Sequence, residues 1–228
     1  MRILRLSPIA LAAVLPLALA GCSSASSLNA AAIGSANPDA GLLSGSRLKT
    51  TLVSTAIPSG YAANSSATLD SGSSYQSPGA ASTAGPKCAN LEATSWVDLA
   101  GYESVSFAQN DYVDSSSSEE FAQEVDAYEG STAQDVMAKL AKLATICPSF
   151  ADSGTGSTVK VAVASGSSLG DGTVTITLSD AAWSSSETLV AVRVGHNVVT
   201  VLNSATGNSA AYANSLASAI TANVKKLG

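Results

Sequence analysis

The side chains able to do chemistry are few and unevenly placed. The chain has one histidine, His196, three cysteines, Cys22, Cys88 and Cys147, and 17 acids against 11 bases. A serine-type triad needs a histidine beside a serine and oriented by a carboxylate. His196 stands instead in Gly195-His196-Asn197 between two valine-rich runs, where a hairpin tip is expected, and no G-x-S-x-G elbow occurs. A zinc site cannot be assembled from one histidine unless several carboxylates take over, and the cysteines form no C-x-x-C pair. The expectation is a protein that is not an enzyme, with no catalytic residue, no metal and no cofactor.

Charge is the one strong asymmetry. Between Lys87 and Lys139 there is no Lys or Arg, and eleven of the 17 acids fall there. Three readings are open. Asp111, Asp114 and Glu119 or Glu120 surround a turn and have the oxygen chemistry calcium needs, but not the spacing of an EF-hand loop. The same residues suit a cationic ligand or a basic partner. The plainest alternative is a solvated face that keeps a weakly charged protein soluble. Aromatic residues make up only 5% of the chain, and Trp96, Tyr102, Tyr112, Tyr128 and Trp183 are as well suited to a core as to a ligand cleft. Trp183, followed by Ser184 to Ser186, is the best candidate for an exposed one.

Composition bounds the class. The chain has 228 residues, 12% of them charged, and a formal net charge of −6. A nucleic-acid binder, which needs clustered Lys and Arg, is excluded. Arg2 and Arg5 precede an apolar stretch over 6–20, of signal-peptide length and too short to span a bilayer, which ends in Leu19-Ala20-Gly21-Cys22. This pattern resembles a bacterial lipobox. It predicts cleavage after residue 21, a diacylglycerol on Cys22 and an anchor on the extracytoplasmic face of the cell membrane. No paired arginines precede the apolar run, which favours Sec export. Cleavage removes two bases and no acid, leaving 207 residues with a charge of −8. Residues 22–41 are small and polar, a tether, and 42–228 form a single domain.

Lipidation of Cys22 leaves Cys88 and Cys147 in an exported domain, where disulfides persist. One pairing is possible, and two separate buried thiols are the alternative.

The elements that must position these groups follow from periodicity. A short helix is predicted over 42–53 and a low-complexity loop over 62–86, with an edge strand near 66–76. A second short helix opens at Cys88, and Tyr102–Gln109 alternates as a strand, with Asn110–Ser118 as a turn. Phe121–Tyr128 fits both helix and strand periods. Ser131 and Gln134 form a capping box before Ala133, Val136, Met137, Leu140, Leu143 and Ala144, one helical face closed by Cys147-Pro148. Strands follow at Thr158–Ala164, Thr173–Leu178, Thr188–Val194 and Val198–Leu202. A final helix over Ser209–Leu227 carries Tyr212, Leu216, Ala219 and Ile220. The simplest solution is an α+β fold, a meandering antiparallel sheet of about five to six strands with helices on one face and one disulfide.

Several of these pieces occur together in one family. They are the lipobox, IPSGY at Ile57–Tyr61, the Cys88-x-x-Leu91 helix, an acidic strand before a capped helix, CPSF at Cys147–Phe150, LGD at Leu169–Asp171 and VRVGHNVVTV at Val192–Val201. In order and spacing the chain resembles actinobacterial cell-surface lipoproteins of the sensor-domain type, which are similar to the extracellular domain of mycobacterial PknH-like Ser/Thr kinases. The resemblance implies a central antiparallel sheet, a strand at Phe121–Tyr128, and binding or sensing in the envelope without catalysis. It also implies two disulfides, where this chain has cysteines for one. The expected function is a ligand-binding or sensor-like lipoprotein. The alternatives are an interaction lipoprotein that docks an envelope protein through its acidic face, or a carrier of a hydrophobic ligand.

Overall fold

The computed structural model describes residues 41–55, 57–116, 119–152, 154–166, 168–204 and 209–228, all within one unit, Ala36–Gly228. The expected signal segment, Cys22 and the tether as far as residue 40 lie outside the described residues.

Six long strands make the sheet: β3 (Ser106–Asp114), β4 (Glu120–Ala127), β6 (Thr158–Gly166), β7 (Gly172–Ser179), β8 (Glu187–Val194) and β9 (Asn197–Asn203). Three short ones extend its edges, β1 (Tyr61–Ala63), β2 (Leu69–Asp70) and β5 (Ser149–Ala151). The expected five to six strands are thus corrected to nine among the described residues, all antiparallel, in the order β1-β3-β4-β9-β8-β7-β6-β5 with β2 also on β3. Strands of two or three residues are too short to carry a periodic signal. β5 to β9 is a continuous meander. It closes onto the β3–β4 hairpin because β9 returns beside β4.

Helices cover both faces of the sheet, not one. On the first face, α2 (Thr132–Leu140) and α3 (Leu143–Ile146) bring Val136, Leu140 and Leu143 against Ile176, Leu189, Val198 and Leu202. On the second, α1 (Gly45–Lys49) and α4 (Ser209–Lys225) bring Leu48, Leu216, Ile220 and Val224 against Val190, Val192, Val199 and Val201. β8 and β9 are apolar at consecutive positions because neighbours in a strand point to opposite faces and here both are covered. The apolar stripe of α4 is Ala213, Leu216, Ala217, Ile220 and Val224, while Ala219 faces solvent.

Local differences have local causes. The helix opened by Ser131 stops at Leu140, a turn intervenes, and α3 resumes at Leu143. Ser131 caps it through its carbonyl, which accepts from Gln134 N at 2.8 Å, and makes no side-chain cap bond. The Cys88 helix is two 3₁₀ segments, Cys88–Glu92 and Trp96–Ala100. The low-complexity segment lies flat along β3 and beside Gly101, pinned by Asn64 N to Asp111 O at 2.8 Å, Gln76 N to Val105 O at 2.8 Å and Ser82 N to Gly101 O at 2.7 Å. α1 sits so close to this edge that a Cβ on Gly45 would lie 2.7 Å from Phe107 O.

Candidate functional site

β3 and β4 form the hairpin of the acidic window, in the register Tyr112↔Phe121, Asp111↔Ala122, Gln109↔Glu124 and Phe107↔Asp126. The pleat sorts its residues. One set, Ala108, Tyr112, Phe121, Val125 and Ala127, joins the apolar core under α4. The other turns Asp111, Glu120, Glu124 and Asp126 to the α2 face, with Ala122 the apolar member among them. The expected strand at Tyr102–Gln109 is therefore shifted to Ser106–Asp114, and the expected turn over Asn110–Ser118 begins only after Asp114. Polar residues there read as turn signals, yet Gln109 and Asp111 are buried in the ladder.

These acids are buried to an unusual degree. Asp111 and Asp126 are each 3% exposed and Glu124 is 4% exposed. Asp111 Oδ1, Glu124 Oε2 and Asp126 Oδ2 have no hydrogen-bond partner among the described residues. Neither does Thr200 Oγ1, on the residue paired with Glu124 across β4 and β9. Burial disfavours the charged form of all three acids, against partial compensation by hydrogen bonds from Asn64 to Asp111, Ser95 to Glu124 and Ser104 to Asp126. Burial, then the neighbouring Asp126 and Asp98, pushes Glu124 well above the usual carboxyl range. Burial also raises Asp126, against a hydrogen bond from Ser104. Glu120 rises to about 7 through burial and the charge of Asp111. Asp111 and Glu120 lie within hydrogen-bonding reach of each other, a contact that requires a proton on one of them.

The lid over this layer is the segment of the two 3₁₀ turns. Trp96, Val97 and Ala100 enter the core. Ser95 Oγ donates to Gln109 Oε1 at 3.1 Å, and Thr94 Oγ1 donates to Glu120 Oε1 at 3.4 Å. The Cys88–Cys147 disulfide, with a Cα–Cα distance of 5.6 Å, ties the start of this segment to the end of α3. At the other end Gly101 takes φ +78°, a left-handed conformation open to glycine, before the chain enters β3.

At the outer mouth of the layer lie Glu92, Asp152, Asp180 and Glu187. Burial, then the charges of Glu92, Glu120 and Asp152, raises Glu187 to about 7. Burial, then Asp152 and Asp180, raises Glu92, whose Oε1 has no partner among the described residues. Asp152 is held low by the Thr155 hydroxyl and by Gly154 N, and it also accepts from Trp183 Nε1 at 3.1 Å. The ion pairs among the described residues are Lys49–Asp70 and Arg193–Asp171, and neither includes one of these acids.

The sequence-predicted residues are therefore divided. Asp111 and Glu120 meet, but Asp114 and Glu119 leave the layer. Asp114 pairs with Tyr61 across β1 and β3, and Glu119 accepts from Tyr61 Oη at 3.0 Å. Among the described residues no group of three His, Cys, Asp or Glu side chains is arranged to hold a metal ion. The five aromatics do not line one cleft either. Trp96 and Tyr128 are buried on the α2 face, where Tyr102 and Trp183 are half-buried. Tyr112 stacks on Phe121 on the opposite face, with ring centroids 4.8 Å apart. His196 is exposed at its hairpin tip. Sequence reasoning did not single out Glu124, Asp126 or Glu187. The signal for the first two was the alternation Glu124, Asp126 against Phe121, Val125 and Ala127 within one strand.

No family model and no curated protein matches the chain. Among solved structures it is similar to the crystal structure of the extracellular domain of PknH from Mycobacterium tuberculosis, at 15% identity and a TM-score of 0.54. The match covers 81% of this chain and 98% of that one, and it shows a shared fold.

Proposed function

We propose that this protein is a lipid-anchored, extracytoplasmic binding domain of sensor-like type that carries out no catalysis. The observation that carries the reading is the likeness of 81% of the chain to nearly the whole of an extracellular domain, 98% of its length. The lipobox at Leu19–Cys22 supports the anchor, and the disulfide suits export. Residues 1–21 then act as signal peptide, 22–41 as tether and 42–228 as the binding domain.

The acidic mouth favours one kind of contact. Glu92 and Glu187 stand together near half-buried Trp183, and no ion pair among the described residues uses them. A cationic group on a small ligand or on a basic segment of an envelope protein would find carboxylates there, with Trp183 held beside them through Asp152. That second reading, docking of a basic partner, rests on the same three residues.

The anchor is tested with Cys22→Ala in cells fed a labelled fatty acid. The expected result is loss of label and release from the membrane fraction. Label retained on the variant contradicts the reading.

A further inference from the structure

Glu124 and Asp126 lie too deep to meet a ligand while the lid is closed. Replacing them by apolar residues would remove a desolvation cost, so their presence makes closure conditional. Glu124 faces Asp126 and, from the lid, Asp98 and Ser95; Asp126 faces Asp98 and Ser104; Tyr128, at the end of β4, stands near Glu124, Asp126 and Asp98; and Glu120 faces Asp111 from β3 and Glu187 from β8. α2 carries Asp135 and Lys139, both exposed. Arg193 lies on the same face of β8, two strands from Asp126, and turns to Asp171 at 3.4 Å and Gly195 O at 3.2 Å. β9 presents only the uncharged Val198, Thr200 and Leu202 there. Among the described residues neither Lys139 nor Arg193 makes an ion pair with Glu120, Asp111, Glu124 or Asp126.

We propose that the segment between Cys88 and Ser106 is a flap held shut by protons on the buried pairs Glu124 with Asp126 and Glu120 with Asp111, and that it lifts as these pairs ionise. The parts of a flap are present. The disulfide fixes one end, Gly101 bends the other, and the polar attachments, Ser95 to Gln109 and Thr94 to Glu120, reach into the acid layer itself. Lifting lets water reach the carboxylates and withdraws Trp96, whose Nε1 has no hydrogen-bond partner among the described residues. The sign follows from linkage. The closed state binds protons that the open state releases, so opening rises with pH by about tenfold per pH unit for each proton released. The proposal concerns this chain alone and does not rest on the functional reading above.

The test is hydrogen–deuterium exchange by mass spectrometry on the full chain between pH 5.5 and 8.5, corrected for the intrinsic pH dependence of amide exchange. Protection over 93–105 should fall by at least about tenfold relative to α4. The double variant Glu124→Gln with Asp126→Asn removes the titration of one pair and should lose less protection than the wild type, and adding Glu120→Gln should keep the segment protected at both ends of the range. Glu120→Gln alone should shrink the loss. Protection over 93–105 that tracks α4 in the wild type overturns the proposal. So does a loss in every variant as large as the wild type's.

Discussion

β4 shows two solutions to burial on one strand. Its odd positions, Phe121, Gln123, Val125 and Ala127, pack toward α1 and α4, and the polar residue among them has a partner at both ends of its amide. Gln123 Oε1 accepts from Val53 N at 2.8 Å and its Nε2 donates to Val53 O at 2.6 Å. A neutral amide thus completes the backbone of a neighbouring segment, as a strand partner would. The even positions, Glu120, Ala122, Glu124 and Asp126, face the lid, and there carboxyl oxygens remain unpartnered. The difference separates two uses of a buried polar group. On the α4 face it fixes a chain segment at any pH. On the lid face its cost depends on a proton.

Breaking the apolar side should have the largest effect. Phe121 is fully buried and touches the rings of Tyr61, Tyr112 and Tyr212. Phe121→Ala should lower stability by about 3–5 kcal/mol. The loss should be the same at pH 5.5 and pH 8, as read by urea unfolding.

Gln123→Ala comes next, at about 1–3 kcal/mol, because it leaves Val53 N without its acceptor and Val53 O with only the longer bond from the Tyr112 hydroxyl, 3.5 Å. It too should be independent of pH over this range. The lid face should answer differently. Glu187, raised to about 7, sits at the rim, and Glu187→Gln should raise the melting temperature at pH 8 by a few degrees and by clearly less at pH 5. A gain of equal size at both pH values would erase the contrast between the faces.

Much of this arrangement was readable from the residues. The valine alternation marked β6 to β9, the Val136–Leu140 stripe marked α2, and cysteine parity singled out Cys88 and Cys147. The two-faced cover was also written in TLVAVRV and VVTVL, whose consecutive apolar residues leave no polar face for solvent. β1, β2 and β5 escaped because two or three residues make no period. The shift of β3 has another cause. Asn110, Asp111 and Asp114 ordinarily mark turns, and here three-dimensional pairing with β4 overrides that local preference. The acid layer was visible as charge but not as burial. Carboxylates are almost never fully buried unless paired, so a window of them reads as surface until the lid is placed.

On the reading proposed above, this fold takes up protons when it closes. The direct measurement is unfolding free energy by urea denaturation from pH 5 to 8.5. Carboxyls that titrate near 4 in the unfolded chain are held higher in the folded one, and for Glu120 and Glu187 the folded value is about 7. Their stabilising contribution is complete below the unfolded value and is lost as pH rises through about 7. Stability should fall across this range, and Glu124→Gln with Asp126→Asn should make the fall shallower while Glu120 and Glu187 still titrate. Stability that holds level or increases from pH 5 to 8 would contradict it.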